Sequence, residues 1–360
     1  HRDPGSLQIN PSSDMTLSTI LLLPQLIIGS YTSKGNPGIE VFNWDAKTGK
    51  ASKSYTLNSP AASYQAISGD YLFSVSEEGD GKASISSFQR RNGKYEAINT
   101  ELSRGDHPCF ILYREKSQTI YTANYSGGSV SVFQTANGRL KPLAQYIAYS
   151  GSSINKDRQN SAHAHMVALS PDQNTLFVTD LGSDKIYAHR ILVNGLLEES
   201  RTEIALTPGN GPRHIRFNAK GDRAYLLNEL SSDVDVFAVK GSQLDKIQSI
   251  PADTSAANVK GSADIHISPN GKWLLASNRI SSNQVVVFKI EADGKLTRVF
   301  HQNVAKIPRN FSFDPSGKFV LVASQEEDRV QVFHFDDKTG SLKDSHQDIL
   351  VKSPVSLLIR

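Results

Sequence analysis

A short glycine turn that follows an apolar strand returns seven times in this chain, and that repeat limits the possible fold more than any other feature. The glycines are Gly49, Gly93, Gly138, Gly195, Gly241, Gly294 and Gly340, spaced 44, 45, 57, 46, 53 and 46 residues apart. Asn92-Gly93, Asn137-Gly138, Asn194-Gly195 and Asp293-Gly294 read as hairpin turns, because Asn-Gly and Asp-Gly place both central residues at positive φ. Ahead of each turn lies a strand-like run such as Ser84–Phe88, Val234–Phe237 or Val330–Phe333. Ahead of that lies another, such as Tyr71–Val75, Arg223–Asn228 or Phe319–Ser324. No stretch carries a sustained helical period.

Seven all-strand copies of this length have the period of a propeller blade. The expected architecture is all-β: a seven-bladed β-propeller of four-stranded antiparallel blades, in a single domain over residues 26–360. The chain enters mid-blade, since its first strands correspond to the second and third strands of later copies. The innermost strand missing there must come from Pro354–Ile359. The N- and C-terminal strands then share one blade, close the ring and leave no exposed sheet edge.

This topology gathers polar residues at one face. Innermost strands start there, near Tyr64, His107, His163, Arg213, Asp264 and Arg309. Second strands end there, near Tyr31, Glu77, Asn124, Asp180, Asn228, Arg279 and Gln325. Strand interiors are Val, Ile, Leu and Phe, so polar groups at a concave mouth mark the expected site. The longest interval carries an extra loop, Ser150–Asn160, which enters the same face just before His163, either as a surface spacer or as a lid bearing Arg158.

Composition narrows the function classes. The net charge of +3 is interspersed, so no nucleic-acid footprint is present. The lone cysteine, Cys109, permits no intramolecular disulfide and reads as a buried structural thiol. Residues 1–25 stand apart as a leader or N-terminal extension, with His1-Arg2-Asp3-Pro4-Gly5-Ser6 reading as an expression remnant. The apolar run Met15–Gly29 is broken by Pro24-Gln25 and is too short to span a bilayer. It lacks a clean cationic start and cleavage site, so Leu26–Thr32 reads as the first strand. The expected location is cytoplasmic, or periplasmic if that run is the end of an export signal. The expected assembly is a monomer or weak homo-oligomer with no membrane span.

The stretch Gly209-Asn210-Gly211-Pro212-Arg213-His214, continuing to Asn228-Glu229-Leu230, holds the strongest pair. It reads as a hairpin turning at Asn218–Asp222, which brings Arg213 and Glu229 to one end. They form either a structural ion pair or an anion clamp beside a general base. His163-Ala164-His165 offers two imidazoles, at least one of them an acid, base or hydrogen-bond donor. A third ligand at metal-site spacing is missing, so metal binding is not expected. There is no Gly-x-Ser-x-Gly elbow and no phosphate-binding glycine loop before a helix.

At these residues the chain resembles the seven-bladed lactonase family, which includes propeller-type 6-phosphogluconolactonases and fungal carboxymuconate cyclases. The resemblance runs in order through Gly29-Ser30-Tyr31-Thr32, His107-Pro108-Cys109, Ala123-Asn124-Tyr125-Ser126-Gly127-Gly128, Arg158-Gln159, His163-Ala164-His165 and Asp180-Leu181-Gly182. It continues through Gly211-Pro212-Arg213-His214, Asn228-Glu229-Leu230, Ala263-Asp264-Ile265-His266, Ser277-Asn278-Arg279 and Pro308-Arg309. It covers essentially the whole chain from residue 26. The family often has Gly-His after Ser-Asn-Arg, where this chain has Ile280-Ser281, and a proline before His-Ala-His, where it has Ala162.

The resemblance implies a metal-independent, cofactor-free lactonase acting on a small anionic lactone. The implied reaction is hydrolysis of 6-phospho-D-glucono-1,5-lactone to 6-phosphogluconate, in the pentose phosphate pathway. His165, Arg213 and Glu229 are the implied catalytic residues, with Glu229 or His165 as base and Arg213 stabilising the oxyanion. Arg279, Arg309 and Arg158 would hold an anionic tail; His163, Asn124, Asn228 and Asp180 complete the substrate-binding candidates. Within enzymes, the alternative is a carboxymuconate cyclase-like protein or another sugar lactonase. Outside them, it is a non-catalytic propeller that binds a partner, which would show an exposed apolar patch rather than convergent His, Arg and Glu.

Overall fold

The computed structural model describes residues 23–360, so the proposed leader or remnant lies almost wholly outside the described residues. The strands form seven antiparallel sheets. Each sheet walks outward from the axis, as in Pro212–Phe217, Arg223–Asn228, Asp233–Lys240 and Gln243–Pro251. In two sheets the outermost strand is split, into Arg139–Leu140 with Gln145–Ala148 and into Leu342–Asp344 with Ile349–Leu350. Among the described residues no helix is long and apolar enough to cross a membrane.

The ring closes as the repeat demands. Gln25–Ser30 pairs with Pro354–Ile359, setting Ile28 opposite Leu357. That C-terminal strand also packs against the innermost strands Pro308–Phe313 and Gln65–Ser68 on either side. The first strand is Gln25–Ser30, so Leu26–Ser30 of the expected Leu26–Thr32 are strand, while Tyr31 and Thr32 already lie in the loop at the mouth.

Burial follows position within the blade. Second strands are sandwiched between neighbouring blades, so Phe319–Ser324 is buried at every residue, and Phe319–Ala323 reads as an unbroken apolar run. Outermost strands face water, and Lys50–Asn58 is accordingly rich in Lys, Ser and Thr. The apolar clusters bridge adjacent blades: Leu26, Ile28 and Leu357 of the closing blade pack with Leu321, Val330 and Val332 of its neighbour. Each such side chain contributes about 1.5–3 kcal/mol when fully buried.

All seven turn glycines adopt positive φ. The accompanying Asn or Asp does so only at Asn92 and Asn137. Asn194-Gly195 and Asp293-Gly294 instead sit in wider turns, in which the glycine N–H donates to the Leu192 carbonyl at 2.9 Å and the Glu291 carbonyl at 2.8 Å. The expectation of two positive-φ residues at every Asn-Gly or Asp-Gly is therefore corrected: turn length decides, and the wider turns need only the glycine.

One irregularity positions the site. The innermost strands break register at Cys109, His165, Arg213, Ala263-Asp264, Arg309 and Val355. Each break is a β-bulge just inside the strand's start, and a bulge re-aims the side chain it carries. Five of these residues, Cys109, His165, Arg213, Arg309 and Val355, line one small cavity on the ring axis although each belongs to a different blade.

Candidate active site

Above that cavity a pocket of about 400 Å³ opens, lined by Glu77, Cys109, Tyr125, Arg158, His165, Glu229, Arg279, Ile280 and Arg309. Glu229 is its centre. The turn at Asn218–Asp222 is closed by the Gly221 N–H bonding the Asn218 carbonyl at 3.0 Å. The resulting hairpin sets Pro212 opposite Asn228, so Arg213 and Glu229 meet as expected.

Arg213 Nε donates to Glu229 Oε2 at 3.0 Å, and Arg158 Nη2 donates to Oε1 at 2.7 Å. Arg279 Nη2 stands 3.4 Å from Oε1. Burial alone would raise the Glu229 pKa, but Arg279, Arg213 and Arg158 together pull it down to about 2. Both carboxylate oxygens are thus ionised and already engaged. His165 is different. Its Nε2 lies 3.9 Å from Glu229 Oε2, and its Nδ1 faces the Cys109 thiol at 3.8 Å. Burial, reinforced by Arg213 and His214, pushes its pKa well below the usual imidazole value, so the ring is neutral at pH 7.

Arg213 is held from below. Its Nη1 donates to the Ala263 carbonyl and lies 3.3 Å from His214 Nε2. His214 Nδ1 lies 2.9 Å from Asp264 Oδ1. Burial, aided by Arg213, lowers the His214 pKa to about 3 despite Asp264. A neutral His214 that donates from Nδ1 to Asp264 leaves Nε2 free to accept from Arg213. Asp264 is fully buried and also meets His266 Nε2 at 2.9 Å and Asn310 Nδ2 at 2.6 Å.

A second cluster flanks the first. Arg309 Nη2 lies 3.7 Å from Glu77 Oε2, its guanidinium sits over the Tyr31 ring, and Tyr31 OH donates to the same Glu77 oxygen at 2.9 Å. Arg309 is therefore half-enclosed by partners rather than solvated at the rim. Arg158 does reach the site from the extra loop. Buried Gln159 anchors that loop through bonds from Nε2 to the Leu181 carbonyl at 2.9 Å and Asp184 at 2.8 Å, and Arg158 Nη2 also meets Tyr125 OH at 3.1 Å. Four guanidiniums thus face two carboxylates, which leaves the pocket cationic.

The structure brings together His165, Arg213, Glu229, Arg158, Arg279 and Arg309, but not the remaining candidates. His163 stands beside the pocket: its ring stacks on Tyr125 with centroids 4.5 Å apart, and Nδ1 bonds the Tyr125 carbonyl at 2.9 Å. Asn124, Asp180 and Asn228 are fully buried and bond within their own blades or to the adjoining loop. Asn124 Nδ2 meets Ser129 and Ser131, Asp180 accepts from the His163 N–H and Tyr187 OH, and Asn228 Nδ2 meets Asp235. Their polar character serves blade corners. Tyr31, Glu77 and Tyr125 also belong to the site, and their place at strand ends does not single them out in the sequence, because their partners come from other blades.

Among the described residues no group of three or more His, Cys, Asp or Glu gathers as a metal site. Fold and site define a seven-bladed propeller with an arginine-lined mouth. The chain belongs to the seven-bladed β-propeller lactonase family, whose model matches residues 25–359. It is 33% identical to a 6-phosphogluconolactonase of Formosa agariphila, over 92% of this chain and 98% of that protein. It is 30% identical to a 6-phosphogluconolactonase of Bacillus subtilis, over 91% of this chain and 96% of that one. A solved structure of the periplasmic gluconolactonase PpgL of Pseudomonas aeruginosa superposes with a TM-score of 0.88 at 32% identity, covering 93% and 98% of the two chains.

Proposed function

We propose that this protein hydrolyses a sugar δ-lactone carrying an anionic group, with 6-phospho-D-glucono-1,5-lactone as substrate and 6-phosphogluconate as product. The observation that carries the reading is the arginine cluster at the mouth, with Arg158, Arg213 and Arg279 on Glu229, Arg309 on Glu77, and a neutral His165 beside them. Cations at fixed positions bind the anionic tail and stabilise the oxyanion that forms when water adds to the lactone carbonyl. The names of the relatives support the same substrate class.

His165 is the better base of the two candidates. Glu229 already spends both oxygens on guanidiniums, each of which lowers its basicity. Among the described residues His165 Nε2 has no hydrogen-bond partner, and Glu229, 3.9 Å away, stands where it would stabilise the imidazolium. Water attacks the carbonyl carbon as His165 Nε2 takes its proton, and charge develops on an oxygen near Arg213. Collapse breaks the ring C–O bond, and the departing alkoxide takes the proton back from His165.

The test is proton release on adding freshly generated 6-phosphogluconolactone or gluconolactone, followed across pH. Only neutral His165 accepts a proton, and its pKa lies well below 6.5. The kcat/KM should therefore stay level from pH 8 down through 6.5 and fall only at lower pH. His165→Gln should lose roughly 10²-fold or more in kcat. Absence of turnover on both lactones rejects the reading. An acid limb centred at or above pH 6.5 rejects His165 as described.

A further inference from the structure

We propose that Ile280 is a specificity-determining wall of this pocket, held in a strained conformation so that its side chain covers the carbon face of a lactone ring whose oxygens point at the arginines. The inference rests on the lactone-hydrolase reading and deepens it.

Three observations converge on this residue. Ile280 lines the pocket beside Arg279 and Glu229, yet it is 54% exposed, so its burial contributes little to stability. Its φ is +67°, in the left-handed region that β-branched residues rarely adopt. Such strain persists only where surrounding contacts over-determine the backbone, and it concentrates at functional sites. Those contacts are present. Asp253 accepts from Ser282 Oγ at 3.0 Å, from Ser281 Oγ and from the Ser255 N–H at 2.8 Å, while the Ser281 N–H donates to the Arg279 carbonyl at 2.8 Å. The paired strand of the same blade makes room as well: a Cβ on Gly261, which sits opposite Arg279, would come within 2.5 Å of Ile280 Cδ1.

A side chain that is exposed, strained and propped from two sides gives the free protein nothing obvious. It gives a bound ring an aliphatic surface in a pocket otherwise lined mainly by charged and hydrogen-bonding groups. Covering the C–H face of the sugar lactone there displaces water from the ring and leaves its oxygens to the guanidiniums.

The experiment compares wild type with Ile280→Gly and Ile280→Asn, measuring steady-state hydrolysis of gluconolactone and its 6-phosphorylated form together with thermal melting. Glycine accepts the left-handed backbone without penalty, and asparagine tolerates it while replacing the apolar wall by a polar one. The expected result is a melting temperature raised by a few degrees for Ile280→Gly. Both variants should show KM raised roughly tenfold with kcat within about twofold, the mark of lost ring binding. The rise should be equal for the two lactones, because the wall touches the ring they share. A lowered melting temperature for Ile280→Gly with unchanged KM would make Ile280 an ordinary packing residue and overturn the proposal. A KM rise confined to the phosphorylated lactone would place Ile280 against the anionic tail and overturn it too. Wild-type turnover with unchanged KM in both variants defeats this assignment alone, whereas a wild type inert on both lactones defeats the lactonase reading and this assignment with it.

Discussion

Glu229 is a buried carboxylate that stays charged because three guanidiniums converge on it, and that arrangement decides how its neighbours behave. A buried ion pair contributes little net stability when intact, but breaking it leaves an uncompensated charge that costs about 3–5 kcal/mol. Arg213→Lys keeps a cation but loses the planar fork that bonds Glu229 through Nε while Nη1 meets Ala263 and His214. If Arg213 meets charge that grows in the transition state, kcat should fall by roughly 10²-fold or more. If it only holds the bound anion, KM should rise with kcat nearly unchanged. Glu229→Gln should lower kcat by removing the charge that supports a protonated His165, while the hairpin persists. Full turnover in both variants, with only a lower melting temperature, would reduce the pair to a structural salt bridge.

At the scale of the element, the repeated glycine turn does two jobs. Its positive φ closes each hairpin, and its bare Cα lets the turn dock on the preceding blade. A Cβ at Gly138 would overlap the Tyr71 ring, and one at Gly340 would meet the Trp273 ring. Gly241 has the same backbone sign but open space around it. Gly241→Ala should therefore cost only the conformational penalty, about 1 kcal/mol. Gly138→Ala adds a steric clash and should cost about 2–4 kcal/mol in denaturant unfolding. Equal costs would show that the docking contact contributes nothing. These turns also explain what the sequence made legible. A glycine required by the backbone at every turn, and at most of them by the neighbouring blade too, recurs at blade spacing, so blade number and ring closure could be read directly. Arg213 and Glu229 could be paired because a single hairpin joins them. The Tyr31–Glu77–Arg309 cluster could not, since those residues come from three blades brought together only by the closed ring. A polar strand end looks the same whether it faces a ligand or caps a blade corner, so the sequence does not separate Asn124, Asp180 and Asn228, which bond within their blades, from the residues that line the pocket. The bulges left no local signature either, since a one-residue shift in register is set by the partner strand.

Over the whole molecule, the site depends on closure, because its residues hang from inner strands that only a complete ring holds at fixed distances. The closing blade takes its innermost strand from Pro354–Ile359 and its other three from residues 25–58. That strand supplies Val355 to the axial cavity and Leu357 to the apolar cluster shared with the neighbouring blade. Leu357 N–H donates to Asn310 Oδ1 at 2.8 Å, and Asn310 in turn bonds Asp264, so the closing strand reaches the network under Arg213. The last residue adds a further tie: the Gln25 N–H bonds the Arg360 carbonyl at 2.9 Å, and the Arg360 guanidinium meets Tyr95 OH and Asp70 at 3.0 Å on the next blade. Ending the chain before Ser353 removes all of this at once. It exposes the inner edge of Gln25–Ser30 and opens the interfaces on both sides of the missing strand. The truncated protein should lose its single cooperative unfolding transition and its lactone turnover together, and its exposed strand edge should promote aggregation. A truncated chain that melts in one transition at the wild-type temperature would show that six blades and an incomplete seventh suffice, and would remove closure as the source of the site's geometry.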